Sequence, residues 1–290
     1  MTTRNACPGP SENRAKADYS TVTELPGLRT HSRQLSALYT RYHFARQYCR
    51  EKDVLEVGCG AGIALGYLSQ LARRVVGGDI EPQCRRIARQ TYSEDSRIEV
   101  CALDAHRLPF QRGSFDTVLL FEAIYYLSDP QRFLAEARRV LRPGGALVVV
   151  TVNREWCGFN PSRFSVRYFS AGELAAAMRR AGFETRIRLA FPDHPDSIKR
   201  KILAAIRRAA VALRLIPRTM HGKEWLKRLF YGRLGSVPRE LTDGAAPLEP
   251  LHDPPPGDGP IANFEVIYAV GKLPSPPAPL PQAGQRHFCS

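Results

Sequence analysis

Between residues 54 and 191 the chain alternates short apolar runs with longer segments whose apolar residues recur at helical spacing. Strand-type runs fall at 54–57, 75–78, 98–103, 118–121, 146–152 and 185–191, with helical patterns at 64–72, 82–91, 130–141 and 171–180. Runs that are apolar throughout, rather than alternating, belong to strands covered on both faces. The pattern therefore predicts a parallel sheet with helices on both sides. Residues 32–50 read as a helix leading into the first strand. Residues 263–270 form a late β-type run.

The first strand runs directly into Gly58-Cys59-Gly60-Ala61-Gly62, three glycines at alternate positions, and then into a helical pattern. A turn without Cβ atoms at those positions lets backbone amides approach a ligand at a helix N-terminus. The next strand ends in Asp79, 21 residues after Gly58, the spacing at which a carboxylate reaches a ribose diol. Two parallel strands joined by a helix are thus expected to hold a nucleoside. The nicotinamide fingerprint G-x-G-x-x-G fails at its third position, which is Ile63.

The run Glu56-x-Gly58-x-Gly60-x-Gly62 resembles the first motif of the class I S-adenosylmethionine-dependent methyltransferases. The resemblance continues in order. Asp104-Ala105-His106-Arg107-Leu108-Pro109-Phe110 is similar to that family's D-A-x-x-L-P-F segment, and Phe115-Asp116-Thr117-Val118 to its F-D-x-V strand. Leu141-Arg142-Pro143-Gly144-Gly145 is similar to its L-x-P-G-G turn, and the helix opened by Ser170-Ala171-Gly172-Glu173-Leu174 also fits. The likeness spans 39–190 and resumes at Phe264. It implies a doubly wound, mostly parallel seven-stranded Rossmann-like sheet whose antiparallel last strand lies beside the fifth, with S-adenosylmethionine as cofactor. The implied cofactor contacts are Glu56, Gly58, Cys59, Gly60, Gly62, Asp79, Ile80, Asp104, Ala105 and Phe121, with Asp104 facing the adenine amino group. Cys59 is read as packing within the turn.

Such a sheet binds ligands beyond the carboxyl ends of its strands. Glu122 and Tyr125 after the fourth strand, and Asn153 and Trp156 after the fifth, are therefore the expected acceptor contacts. Tyr125 and His194, which follows the sixth strand, are the candidates for a catalytic base. A sulfonium donor carries its own activation, so the protein's main task is alignment, and a catalytic triad or metal cluster is not required.

The organisation expected is an arm at 1–30, a core at 31–195, a basic helical insertion at 196–260, the last strand at 261–273 and a Pro-rich tail at 274–290. Between Asp196 and Glu240 there are twelve Lys or Arg against three Asp or Glu, +9 of the chain's +14. The insertion reads as a lid over the acceptor pocket, with 197–231 a candidate contact for an anionic acceptor or membrane surface; a solvated helix face is the plain alternative. Nucleic acid is not favoured, since no RNA-binding module accompanies the basic segment. Seven scattered cysteines without a C-x-x-C pair fit a reducing compartment and no metal site. A cytoplasmic location is the default in the absence of an apolar leader or span. The expected activity is methyl transfer to a small or medium-sized acceptor, with a membrane-bound or polymeric acceptor and a catalytically silent cofactor-binding subunit as rivals.

Overall fold

The computed structural model describes residues 24–162, 164–193, 234–257 and 259–275. Its centre is a seven-stranded sheet of β2 (Asp53–Val57), β3 (Arg74–Asp79), β4 (Ile98–Ala102), β5 (Phe115–Phe121), β6 (Leu141–Val152), β7 (Glu184–Pro192) and β9 (Phe264–Lys272). The spatial order is β4-β3-β2-β5-β6-β9-β7. The β2–β3, β3–β4, β2–β5 and β5–β6 pairs are parallel, while β9 runs antiparallel to both β6 and β7. This is the doubly wound sheet expected from the sequence, with the late strand inserted beside the fifth strand of the core.

Each strand buries residues on both faces, which accounts for its uninterrupted apolar character. Val54, Val75, Leu119, Val148 and Tyr268 face a core shared with α1 (Ser32–Ala45) and α2 (Leu65–Ser69). Leu55, Val76, Val118, Leu147 and Ile267 face the opposite core, shared with α4 (Pro130–Val140) and α5 (Ala171–Arg180). The helices begin where local chemistry allows. Pro82 opens α3 (Pro82–Thr91), Asp129 caps α4 through the Arg132 amide, and Ser170 and Glu173 close a capping box on α5.

Residues 234–252, assigned from sequence to the insertion, run as a strap across the first helical face. β8 (Leu234–Ser236) pairs antiparallel with β1 (Arg29–His31). The Leu241 amide donates to the Ile63 carbonyl at 2.8 Å, Asp243 accepts from Tyr67 and pairs with Arg46, and His252 exchanges two backbone bonds with Leu189. Gly66 lies beneath the strap; a Cβ there would meet Glu240 Oε1 at 1.9 Å. This part of the predicted lid is therefore anchored to the core by backbone and side-chain bonds that periodicity could not reveal. Residues 194–233, with His194 and the basic helices expected from sequence, lie outside the described residues.

Candidate active site

The sheet order reverses between β2 and β5, and a ligand crevice forms beyond the carboxyl ends at such a switch point. A cavity of about 500 Å³ occupies this position, within the roughly 300–1,000 Å³ typical of small-molecule sites. Gly58, Cys59 and Gly60 form its floor, with Asp79, Ile80, Asp104, Ala105 and Phe121 around it. Glu122 and Tyr125 line the far side.

The glycine turn needs its glycines for conformation: φ is +72° at Gly58, +56° at Gly60 and +75° at Gly62. Gly62 stands behind the cavity, where a Cβ would meet the Ala88 Cβ at 2.8 Å. The Asp79 carboxylate accepts from the Gly60 and Glu81 amides, each at 2.8 Å, so it fixes the turn while facing the cavity. Asp104 Oδ1 accepts from the His106 amide and approaches His106 Nδ1 at 2.7 Å, which holds that side chain at the rim. Cys59 is buried, and burial pushes its thiol well above the ordinary value, as suits packing rather than nucleophilic chemistry.

Glu56 lies behind the wall rather than on it. It is 1% exposed, its Oε1 accepts the Tyr42 hydroxyl at 2.5 Å, and its Oε2 is buried without a hydrogen-bond partner. Burial pushes its carboxyl up to about 7, with the Tyr42 hydrogen bond and the Arg41 charge opposing. A carboxyl raised on folding contributes stability below its unfolded value that is lost as pH rises through the folded one. Stability should accordingly fall by up to about 3 kcal/mol between roughly pH 4.5 and pH 7 from this group. Urea unfolding of wild type and Glu56→Gln across that window should show a shallower slope in the variant; parallel slopes would remove Glu56 as the source.

Two expected acceptor contacts lie elsewhere. The Asn153 side chain is fully buried and donates to the Ile261 and Phe264 carbonyls at 2.6 and 3.0 Å, while its Oδ1 accepts from Glu155. It latches the end of β6 to the start of β9 and does not line the cavity. Trp156 donates from its indole nitrogen to Asp193 at 3.0 Å and is also outside the cavity. Position after a strand end placed both at the correct edge, but their polar atoms are committed to local backbone and loop partners. Tyr125 does line the cavity and donates to Glu122 Oε2 at 3.1 Å. Burial, first, and the Glu122 charge keep its phenol well above the ordinary value, so it acts as a hydrogen-bond donor rather than a base near neutrality.

Several lining residues were not anticipated. Glu24, Arg33, Arg41, Tyr42 and Glu265 complete the wall, Arg41 pairing with Glu24 and Arg33 with Glu265. One sequence signal existed for Arg41. It is a charge three residues after Leu38 and four before Ala45, both on the buried stripe of α1.

The site has the features that S-adenosylmethionine requires. Ile80, an apolar side chain 56% exposed at the cavity, offers a face to a flat base, and Asp79 offers a carboxylate to a diol beside the Gly58–Gly60 turn. The methyltransferase domain family matches residues 55–149. A protein of Mycolicibacterium smegmatis named "probable S-adenosylmethionine-dependent methyltransferase" is 34% identical over 166 residues, covering 55% of this chain and 63% of that protein. A demethylmenaquinone methyltransferase of Tropheryma whipplei is 34% identical over 134 residues, covering 44% and 53%. The matched stretch thus spans between about half and two thirds of the length of these relatives. An S-adenosylmethionine-dependent methyltransferase of Thermotoga maritima shares the fold at 22% identity and a TM-score of 0.51, over 82% of this chain and 89% of its own. The YcgJ protein of Bacillus subtilis does so at 20% identity and 0.52, over 84% and 100%. The segment 55–149 thus matches the methyltransferase domain family, and over about half of its length the chain is similar to proteins named S-adenosylmethionine-dependent methyltransferases.

Proposed function

We propose that this chain transfers a methyl group from S-adenosylmethionine to a small acceptor bound beside Glu122 and Tyr125. The observation that carries the reading is a single cavity joining the glycine turn and Asp79 to a second, chemically different wall. Asp79, Ile80, Asp104 and Ala105 would hold the nucleoside part, and Gly58 and Gly60 the amino-acid part. The cofactor supplies an activated methyl on a sulfonium whose departure leaves a neutral thioether. The protein's contribution is to fix the acceptor in line and to exclude water from the crevice.

Demethylmenaquinone and ubiquinone-pathway methyltransferases are among the relatives, at 34% and 33% identity over 44% and 37% of this chain. They favour an aromatic ring acceptor. The aromatic wall here agrees: Tyr125 stacks on Tyr168 at 4.8 Å and meets Tyr126 edge-on at 4.5 Å. Release of labelled methyl from the donor onto a panel of ring hydroxyls, amines and carboxylates is the test. Transfer to none of them, with donor binding intact, would leave the silent cofactor-binding subunit as the better reading.

A membrane-associated acceptor is the second reading, favoured by the net +9 between residues 196 and 240. No helix among the described residues is long and apolar enough to cross a membrane, so contact would be peripheral. Replacing Arg207, Arg208 and Arg214 by Gln should then reduce co-sedimentation with anionic vesicles, and added salt should narrow the difference from wild type. Equal sedimentation of the two proteins at low salt would count against membrane contact through this segment.

A further inference from the structure

Resting on the reading above, we propose that Glu122 is the proton acceptor for an uncharged, hydroxyl-bearing acceptor, which makes the reaction an O-methylation. Glu122 directly follows β5 and Gly58 directly follows β2, so the carboxylate and the glycine turn share the switch point of the sheet. Its backbone is left-handed, with φ +48°, although it is not glycine. Such a conformation is unfavourable for an L-residue and persists where the surroundings enforce it, commonly at sites that need a side chain aimed. Here the Glu122 amide donates to the Val150 carbonyl at 2.9 Å, and the carboxylate lines the cavity.

The charges on the cavity wall narrow the acceptor. Both guanidinium groups lining it are held by carboxylates, Arg41 by Glu24 and Arg33 by Glu265. With both guanidinium charges matched, an anionic acceptor would add an unmatched negative charge beside Glu122, Asp79 and Asp104; a neutral hydroxyl would not. Glu122 differs from Glu24 and Glu265 in that its hydrogen-bond partner is the neutral Tyr125 hydroxyl. It is therefore the carboxylate open to a new donor.

The groups acting on Glu122 are Arg41 and Glu24 from the α1 side, Tyr125 from its own turn, and Glu265 from β9, with Tyr268 of β9 also coupled to it. Burial is the largest influence and pushes the carboxyl up to about 7, against the Arg41 charge and the Tyr125 hydrogen bond. A base with that value is substantially ionised near neutrality yet strong enough to take a proton. In the step, the acceptor O–H bond breaks and its proton passes to a Glu122 oxygen. An oxygen lone pair forms the O–CH₃ bond, the C–S pair remains on sulfur, and Glu122 later returns its proton to solvent.

The test uses S-adenosylhomocysteine to fill the donor site and 4-methylphenol, which stays un-ionised at neutral pH, as the hydroxyl probe. Wild type should bind both. Glu122→Gln should keep its affinity for S-adenosylhomocysteine and bind the phenol roughly tenfold more weakly, since a charged acceptor is replaced by a neutral one. Carbon-13 NMR of carboxyl-labelled glutamate should show signals titrating near neutrality from Glu56 and Glu122, and the Glu122 signal should be missing from the variant. Tyr125→Phe should retain that signal and shift its midpoint upward. Equal phenol affinity in wild type and Glu122→Gln, or persistence of both signals in that variant, would overturn the assignment. Binding of S-adenosylhomocysteine without the phenol would overturn the hydroxyl acceptor, and failure to bind S-adenosylhomocysteine would overturn the methyl-transfer reading itself.

Discussion

Gly62→Val is expected to abolish measurable binding of S-adenosylmethionine and to lower stability by about 2 to 5 kcal/mol. Two effects add. At φ +75° an L-residue with a branched Cβ is strained, and its Cβ would lie 2.8 Å from the Ala88 Cβ and 3.0 Å from Leu65 Cδ1. Ala88 is fully buried on α3 and cannot retreat, so the turn must shift instead. That shift moves the Gly58 and Gly60 amides away from the positions set by the β2–β3 strand ends. Gly244→Val is the control: its φ is +74°, but nothing lies within 4 Å of its Cβ position. The control should lose stability from backbone strain alone and keep donor binding. Thermal unfolding and calorimetry on both variants separate the two contributions, and normal donor binding by Gly62→Val would contradict the assigned role of the turn.

The sheet was legible in the sequence because a strand buried on both faces has little choice of side chain, and because the chemistry of helix starts is local. Pro82, Asp129-Pro130 and the Ser170–Glu173 box each act within one turn of chain. The paired glycines of β3 were seen only as part of an apolar run. The structure gives their reason, since Cβ atoms at Gly77 and Gly78 would meet Leu65 at 2.7 Å and Leu103 at 1.9 Å. The cavity wall was less legible. Glu24, Arg41 and Glu265 are brought together by α1 and the antiparallel β9, and no local pattern links residues 24 and 265. The strap at 234–252 was hidden for the same reason, its partners Ile63, Tyr67 and Leu189 being far away along the chain. Asn153 and Trp156 show the limit of arguing from strand ends: sequence places a residue at the right edge, but hydrogen bonding decides which way its polar atoms turn.

Asp79→Ala should weaken S-adenosylmethionine binding by about 1 to 3 kcal/mol, a loss of roughly 5- to 150-fold in affinity. The carboxylate is 9% exposed and serves the site in two ways. It faces the cavity as the acceptor proposed for the ribose hydroxyls, and its two oxygens hold the Gly60 and Glu81 amides at 2.8 Å. Removing it costs the ligand a charged acceptor and leaves both amides without their partner, so the turn loosens even before ligand arrives. Asp79→Asn retains an oxygen for one amide and should fall between wild type and Ala.

The most direct test of the whole account is titration calorimetry of wild type and Asp79→Ala with S-adenosylmethionine and S-adenosylhomocysteine, with folding of both proteins checked by circular dichroism. The expected result is one site per wild-type chain for either ligand and weakened binding of both in the variant. Absence of binding to folded wild type, or equal affinity in a folded Asp79→Ala, would contradict the claim that this cavity holds the methyl donor.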